Sequence, residues 1–260
     1  MVLPDIQNLE PKIKVSLNRV GITDLQLPIY VLQKDNTVQH SVAKINCFVD
    51  LDSHLKGVNM SRIPIAIHKY LDSAISGSLI ENICENIRQK SEANLCQIIC
   101  SFPYFIKKIS PVSKEPGYVI YPVEFNGIKS ENEFSFQLSV TSMTTSLCPC
   151  SKEISDGGGA HNQKCIIKIT CQTFINNYIW IEDLIKIAEN SSSCDIYSVL
   201  KRVDEKYVTE KAYDNPCFVE DITRNCYEKL SKLNNIRNII IEVTSDESIH
   251  NHKAYAQLSC

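Results

Sequence analysis

The sequence lacks both an excess of basic residues and a long apolar segment. Its 260 residues carry 27 Lys and Arg against 30 Asp and Glu, which gives a formal net charge of -3. A nucleic-acid-binding protein normally has a basic surface, so we expect no nucleic-acid partner. The apolar runs are short and interrupted by charge, and the N-terminus has no basic-then-apolar signal pattern. We therefore expect a cytoplasmic protein with no membrane partner.

A phosphate-binding loop is also missing. No Gly-x-x-x-x-Gly-Lys motif occurs, and the three glycines at 157–159 precede an alanine rather than a lysine, so a flexible loop is expected there. A phosphorylated small molecule would then depend on scattered cations, each of which could equally be ordinary surface charge. The candidates are Lys56, Arg62, Lys152, Arg202 and Arg224.

Cysteine, in contrast, is abundant, with twelve in the chain. Without a signal segment a reducing compartment is expected, in which most of these are free thiols. Five lie in apolar-periodic segments and are expected to be small buried hydrophobic residues, namely Cys47, Cys84, Cys165, Cys171 and Cys226.

Cys148 and Cys150 differ because they flank a proline beside polar, glycine-rich sequence that continues to His161. Thiolate and imidazole are ligands that zinc and similar metals prefer. No second Cys-x-x-Cys or His-x-x-x-His pair follows to complete a structural zinc site. The pattern predicts a metal with an open coordination position, as catalysis requires, although cysteines in such a loop could also supply a nucleophile or a proton donor.

Hydrophobic periodicity predicts an α+β fold in which one order of elements occurs twice. A hydrophobic fraction of 43% is enough for one large or two modest cores. The predicted ββααββ modules cover residues 1–130 and 131–260, and exposed edges of their antiparallel sheets favour an oligomer. Strands are predicted at 28–34, 41–51, 95–109, 117–127, 134–140, 164–174, 237–244 and 253–259, and helical segments at 61–92, 181–190, 194–202 and 219–233.

Several segments of the chain, including the one that contains Cys148, Cys150 and His161, resemble the signature of type IB GTP cyclohydrolase I. The resemblance is carried by Leu147-Cys-Pro-Cys-Ser-Lys-Glu-Ile-Ser with Gly159-Ala-His-Asn-Gln163, and by segments 3–7, 18–22, 60–62, 200–210 and 215–221. It implies a tunnelling fold (T-fold) of two fused ββααββ modules, assembled as a homotetramer with an oligomeric barrel. It also implies hydrolytic opening of the GTP imidazole ring to formate and 7,8-dihydroneopterin triphosphate, an entry to folate and, in many bacteria, queuosine.

The resemblance also implies roles for individual residues. Cys148, His161 and Glu205 would bind a divalent metal such as zinc, manganese or iron, which makes a bound water acidic enough to react near neutral pH. Glu220 would bind guanine, and Arg62 would help to hold the triphosphate. Lys152 is a second predicted contact to the triphosphate, chosen from the cations named above. The implied catalytic residues are Cys148, Cys150, His161, Glu247 and His250.

Ordinary explanations compete with two of these roles. Glu205 lies in a charged run typical of a solvated helix end, and Glu220 could be one of the acids that favour a helix N-terminus. Two other functions also remain open. One is a T-fold nitrile reductase with a cysteine nucleophile and NADPH, and the other is a non-enzymatic T-fold protein that binds a pterin or a metal.

Overall fold

The computed structural model describes residues 6, 7, 9–174 and 176–260. Residues 3–5 of the segment 3–7 lie outside this range. The chain folds as two compact units: unit 1 comprises Met1–Phe102 and Glu124–Gln137, and unit 2 comprises Pro103–Val123 and Leu138–Cys260. Neither unit begins or ends at residue 130. The division of the chain into modules 1–130 and 131–260 therefore stays a prediction.

Two ββααββ repeats can be followed along the chain, with additional elements that include a 13-residue helix in the second repeat. The elements are β1 (Leu17–Leu32), β2 (Val38–Leu51), α1 (Arg62–His68), β3 (Ala74–Ile75), α2 (Gly77–Lys90), β4 (Leu95–Ile109), β5 (Pro116–Ser130), β6 (Phe134–Leu147), α3 (Pro149–Ile154), β7 (Asn162–Thr173), α4 (Ile181–Glu189), β8 (Cys194–Asp195), α5 (Arg202–Asp214), α6 (Val219–Leu230), β9 (Ile236–Asp246) and β10 (Lys253–Ser259). The α+β class and the repeated order are confirmed.

Unit 1 is built on the antiparallel pairing of β1 with β2 and of β2 with β4. Alternate residues of β2 are buried, as the period of a half-buried strand requires. The predicted helical region 61–92 is two helices, because the chain becomes extended around β3. Ser76 then starts α2, where its hydroxyl accepts a hydrogen bond from Leu79 N at 3.2 Å.

Unit 2 has β9 between β7 and β10, all antiparallel, and the short β8 pairs with β6. Helices α4 and α6 each bury one apolar face, which includes Leu184 and Ile185 on α4 and Ile222 and Cys226 on α6. All five cysteines expected to be buried are buried, which confirms that prediction. No helix among the described residues is long and apolar enough to span a bilayer.

The helix predicted at 194–202 is wrong. Cys194 and Asp195 instead pair with β6, and helix α5 begins only at Arg202. The start is fixed by the buried carboxylate of Asp204, which accepts a hydrogen bond from Lys201 N at 2.9 Å. The same carboxylate accepts hydrogen bonds from the backbone N–H groups of residues 112 and 113, at 2.8 Å each. A loop far away in sequence therefore determines where α5 begins.

Candidate active site

The Cys-Pro-Cys segment leads into the short helix α3, which ends at Ile154, before the glycines at 157–159. Strand β6 ends at Leu147, and Pro149 occupies the first turn of α3, where a missing N–H costs nothing. Cys148 has an extended backbone and caps this helix, with its Sγ accepting from Ser151 N at 3.5 Å. The end of the strand therefore places the thiol just beyond β6, at the start of α3.

The glycine-rich segment after α3 brings His161 back to Cys148. Gly157 and Gly159 have φ of 82° and 112°, a backbone region that disfavours side chains. Cys148 N donates to the His161 carbonyl at 3.1 Å, and the Ser151 hydroxyl accepts from His161 N at 3.2 Å. The glycines thus permit the tight return that joins the two predicted metal ligands.

These residues open onto a cavity of about 510 Å³ formed within unit 2. This volume is in the range of small-molecule binding sites. Six residues predicted from the sequence line the cavity, namely Cys148, Cys150, His161, Glu220, Glu247 and His250. Residues that the sequence analysis missed line it as well, and they are Ser146, Gln163, Cys217, Phe218, Val219, His252, Ala254 and Tyr255.

Gln163 connects two of the predicted catalytic residues. Its Oε1 lies 2.8 Å from His161 Nδ1, and its Nε2 donates to Glu247 Oε1 at 3.2 Å. The Gln163 side chain is buried, with 7% of the residue exposed. Because side chains alternate along a strand, residues 161 and 163 share one face, so the spacing of two could have indicated this contact.

The backbone beneath Cys148 is held by buried hydroxyl groups. Leu147 N donates to Ser193 Oγ at 3.0 Å, and Ser146 Oγ donates to the Cys217 carbonyl at 2.8 Å. Cys217 N in turn donates to the Leu147 carbonyl at 3.1 Å. Burial raises the pKa of the Cys217 thiol, which favours a neutral thiol in this wall of the cavity.

Another part of the cavity wall comes from segments far from Cys148 in the sequence, and it contains Glu220 and two exposed aromatic side chains. Glu220 is in the first turn of α6, and Phe218 immediately precedes that helix. Tyr255 comes from β10, and its hydroxyl donates to Glu242 at 3.2 Å. The rings of His250 and His252 stack with centroids 5.0 Å apart. The cavity therefore offers aromatic faces, a carboxylate and imidazoles to a planar polar ligand.

Three predicted residues do not line this cavity. The ammonium group of Lys152 donates to the Tyr213 carbonyl at 2.5 Å and lies 4.2 Å from the centre of the Tyr213 ring. Glu205 is exposed on α5. Arg62 belongs to unit 1, where its guanidinium donates to the Lys90 carbonyl.

The cavity provides two of the ligands that a divalent metal would need. Cys148 and His161 provide a thiolate and an imidazole in one cavity, and this pair suits zinc and related ions. Across the described ranges, no group of three or more His, Cys, Asp or Glu residues is placed to hold a metal ion. The metal and its third ligand therefore stay predictions.

Comparisons with known proteins agree along the whole chain. Residues 3–256 match the family described as type I GTP cyclohydrolase folE2. A "GTP cyclohydrolase FolE2" of Nitrosospira multiformis is 44% identical over 260 residues, covering 100% of this chain and 97% of the relative. One of Syntrophus aciditrophicus is 42% identical over 252 residues, covering 97% of each.

Solved structures support the fold alone, because their sequence identity is low. Urate oxidase from Bacillus subtilis 168 superposes with a TM-score of 0.54 at 9% identity, covering 93% of this chain and 98% of that one. Uricase from Arthrobacter globiformis gives a TM-score of 0.51 at 7% identity, covering 94% and 92%. The T-fold implied by the sequence motifs is confirmed.

Proposed function

Because this chain belongs to the type I GTP cyclohydrolase folE2 family, we propose that it opens the imidazole ring of GTP. The products are formate and 7,8-dihydroneopterin triphosphate, which enters tetrahydrofolate biosynthesis. The observation that carries this proposal is the cavity of unit 2, which collects Cys148, His161, Glu220, Glu247 and His250 in a chain matched over residues 3–256.

Glu220 is proposed to recognise the guanine base. Its carboxylate can only accept hydrogen bonds, and the N1–H and the 2-amino group of guanine present two donors side by side. Adenine has an acceptor at N1, so the same carboxylate would face it without a donor. The neighbouring rings of Phe218 and Tyr255 provide apolar faces for a purine.

Glu247 and His250 are proposed to move protons during ring opening and the later rearrangement of the ribose. Imidazole can take up or release a proton near neutral pH, and a nearby carboxylate can accept one. Cys150 is on the first turn of α3 and lines the same cavity. Its predicted part is assistance to proton transfer or to the metal site.

Cys148 and His161, together with Glu205, are the proposed ligands of a zinc, manganese or iron ion. When bound, such an ion supplies a polarised water for attack on C8 of the purine. The shared cavity supports the first two ligands. Glu205 is supported by its sequence motif alone. Arg62 is likewise proposed from its motif to contact the triphosphate, and Lys152 is proposed as a contact because of its charge.

Three finer assignments also belong to this proposal. The Cys-Pro-Cys and Gly-Ala-His-Asn-Gln motifs support the type IB class. The T-fold supports assembly as a homotetramer, because its antiparallel sheets have edges that can pair with another subunit. A cytoplasmic location is proposed because GTP is a cytoplasmic metabolite. Use of the product for queuosine as well as folate is a further proposal.

The two alternative functions are not favoured. A nitrile reductase needs a cysteine nucleophile and a bound nicotinamide, and it has no use for a cysteine and a histidine placed together as metal ligands. A binding protein needs no proton-transfer groups, yet Glu247 and His250 line the cavity beside His161.

The proposal is tested by incubating the full chain with GTP after metal removal and after addition of zinc, manganese or iron. Formate release and the fluorescence of oxidised neopterin are measured for the wild type, Cys148→Ala and His161→Ala. We expect metal-dependent turnover in the wild type and its loss in both variants. Cys260→Ala, at an exposed cysteine outside the cavity, is the matched control. Turnover retained by Cys148→Ala would contradict the proposed site.

A further inference from the structure

We propose that Gln163 is a positioning residue that fixes the proton of the His161 ring on Nδ1. This inference rests on the proposed function, because it concerns how the same cavity holds His161 and Glu247. The relevant contacts are Gln163 Oε1 to His161 Nδ1 at 2.8 Å and Gln163 Nε2 to Glu247 Oε1 at 3.2 Å.

Glu247 determines which way the amide of Gln163 must face. An ionised carboxylate accepts hydrogen bonds and cannot donate them, so the amide group turned towards Glu247 must be the NH₂. The amide oxygen then faces His161. An amide oxygen can only accept, and therefore Nδ1 of His161 must carry the proton. The charge of Glu247 is thus transmitted, through one amide, to the choice of tautomer at His161.

The consequence is that Nε2 of His161 keeps its lone pair. His161 lines the cavity, so Nε2 is the ring nitrogen left to bind a metal or to accept a proton there. Histidines that bind metals commonly donate their other N–H to a nearby acceptor, which orients the ring and makes the ligand nitrogen more basic. Gln163 would have this effect on His161.

Burial makes the arrangement stiff. Gln163 is on β7 and is 7% exposed, so water competes little for its amide group. Each half of the amide has one partner in the cavity wall, and losing either partner would leave a buried polar group unpaired. The same contact also limits where the Glu247 carboxylate can lie, and so it couples two of the proposed catalytic residues.

Two substitutions separate the halves of this arrangement. Gln163→Leu has a similar size and removes both hydrogen bonds. Gln163→Glu keeps an acceptor for His161 Nδ1 but removes the donor to Glu247. Gln172→Leu is the matched control, because Gln172 is a buried glutamine on the same strand whose Oε1 accepts from Asn238 at 2.7 Å, outside the cavity.

The first measurement is the tautomer of His161 in the full-length, metal-free protein. Two-bond ¹H–¹⁵N correlation spectra distinguish the protonated ring nitrogen from the unprotonated one, and with six histidines the signal is assigned by its loss in His161→Ala. We expect an Nδ1–H tautomer in the wild type, Gln163→Glu and Gln172→Leu, and a mixture of tautomers in Gln163→Leu.

The second measurement is zinc affinity, by competition with a chromophoric chelator. We expect Gln163→Leu to bind zinc about 10–100-fold more weakly than the wild type, and Gln172→Leu to stay close to the wild type. An Nε2–H tautomer in the wild type would overturn the inference, as would wild-type tautomer and zinc affinity in Gln163→Leu. If Gln163→Leu does not fold, the wild-type tautomer and Gln163→Glu still decide. Absence of formate release in the wild type would instead count against the proposed function, and the tautomer result would stand.

Discussion

Replacing Asp195 by asparagine should destabilise unit 2 by an amount that depends on pH. The Asp195 carboxylate is 13% exposed and accepts hydrogen bonds from Lys108 Nζ at 2.5 Å and Lys211 Nζ at 2.8 Å. Desolvation alone would raise the pKa of this carboxyl, but the two ammonium groups outweigh it and lower the pKa to about 2. The folded state therefore favours the ionised form.

The size of the expected loss in stability follows from the pKa shift of Asp195. The pKa of the Asp195 carboxyl falls from 3.8 to about 2 on folding, so its stabilisation is complete well above pH 3.8 and disappears as the pH falls through 2. The difference corresponds to about 2.5 kcal/mol at pH 7, of which about 1.3 kcal/mol remains at pH 3. We expect Asp195→Asn to lower the free energy of unfolding by these amounts.

Urea unfolding of the wild type and Asp195→Asn at pH 7 and pH 3 measures this change in the free energy of unfolding. The single tryptophan, Trp180, precedes α4 in unit 2, so its fluorescence reports on the unit that contains Asp195. Asp214→Asn, at an exposed carboxylate at the end of α5, is the control and should change stability little at either pH. A penalty for Asp195→Asn that is equal at the two pH values would refute the reasoning, because it would not depend on the charge.

Two further predictions concern the backbone around the site and the fold of unit 1. Ser193→Ala leaves the buried N–H of Leu147 without its acceptor, so urea unfolding should show a loss of about 1–3 kcal/mol in the free energy of unfolding. The control Ser192→Ala should change stability little, because the Ser192 hydroxyl donates to a carbonyl and leaves no N–H unpaired. Equal losses in the two variants would contradict the prediction. Gly21→Ala would place a Cβ 1.9 Å from the Cys47 carbonyl oxygen, so we expect the free energy of unfolding to fall by about 3 kcal/mol. A soluble variant with wild-type thermal stability would contradict this prediction.

The strands of this fold could be predicted from sequence because their burial alternates, but α5 could not. Only Asp204 and Ala212 of that helix are buried, so it has almost no apolar period for a sequence pattern to show. The preceding segment was predicted as a helix instead. Its residues Cys194 and Asp195 pair with β6, and a contact between segments so far apart leaves no local signal.

The site shows the same difference between local and distant contacts. Cys148 and His161 could be paired from sequence because one short loop joins them. Phe218 and Tyr255 reach the cavity from the start of α6 and from β10, and nothing in their local sequence marks them. Glu220, Glu247 and His250 were predicted only through the resemblance to a known family, which supplies distant contacts that composition and periodicity cannot.

The family resemblance assigns Glu205 to the metal, whereas the geometry of helix α5 leaves Glu205 exposed. Successive residues of an α-helix are about 100° apart around its axis, and Asp204 points inward to the hydrogen bonds that fix the start of α5. Glu205, the next residue, is therefore turned away from that contact, and it is exposed. If the motif identifies a metal ligand correctly, Glu205→Gln should weaken zinc binding in the chelator assay while Glu210→Gln, at an exposed glutamate on the same helix, should not. Equal zinc affinity in the two variants would mean that Glu205 is a solvated surface carboxylate and that its place in the motif has another cause.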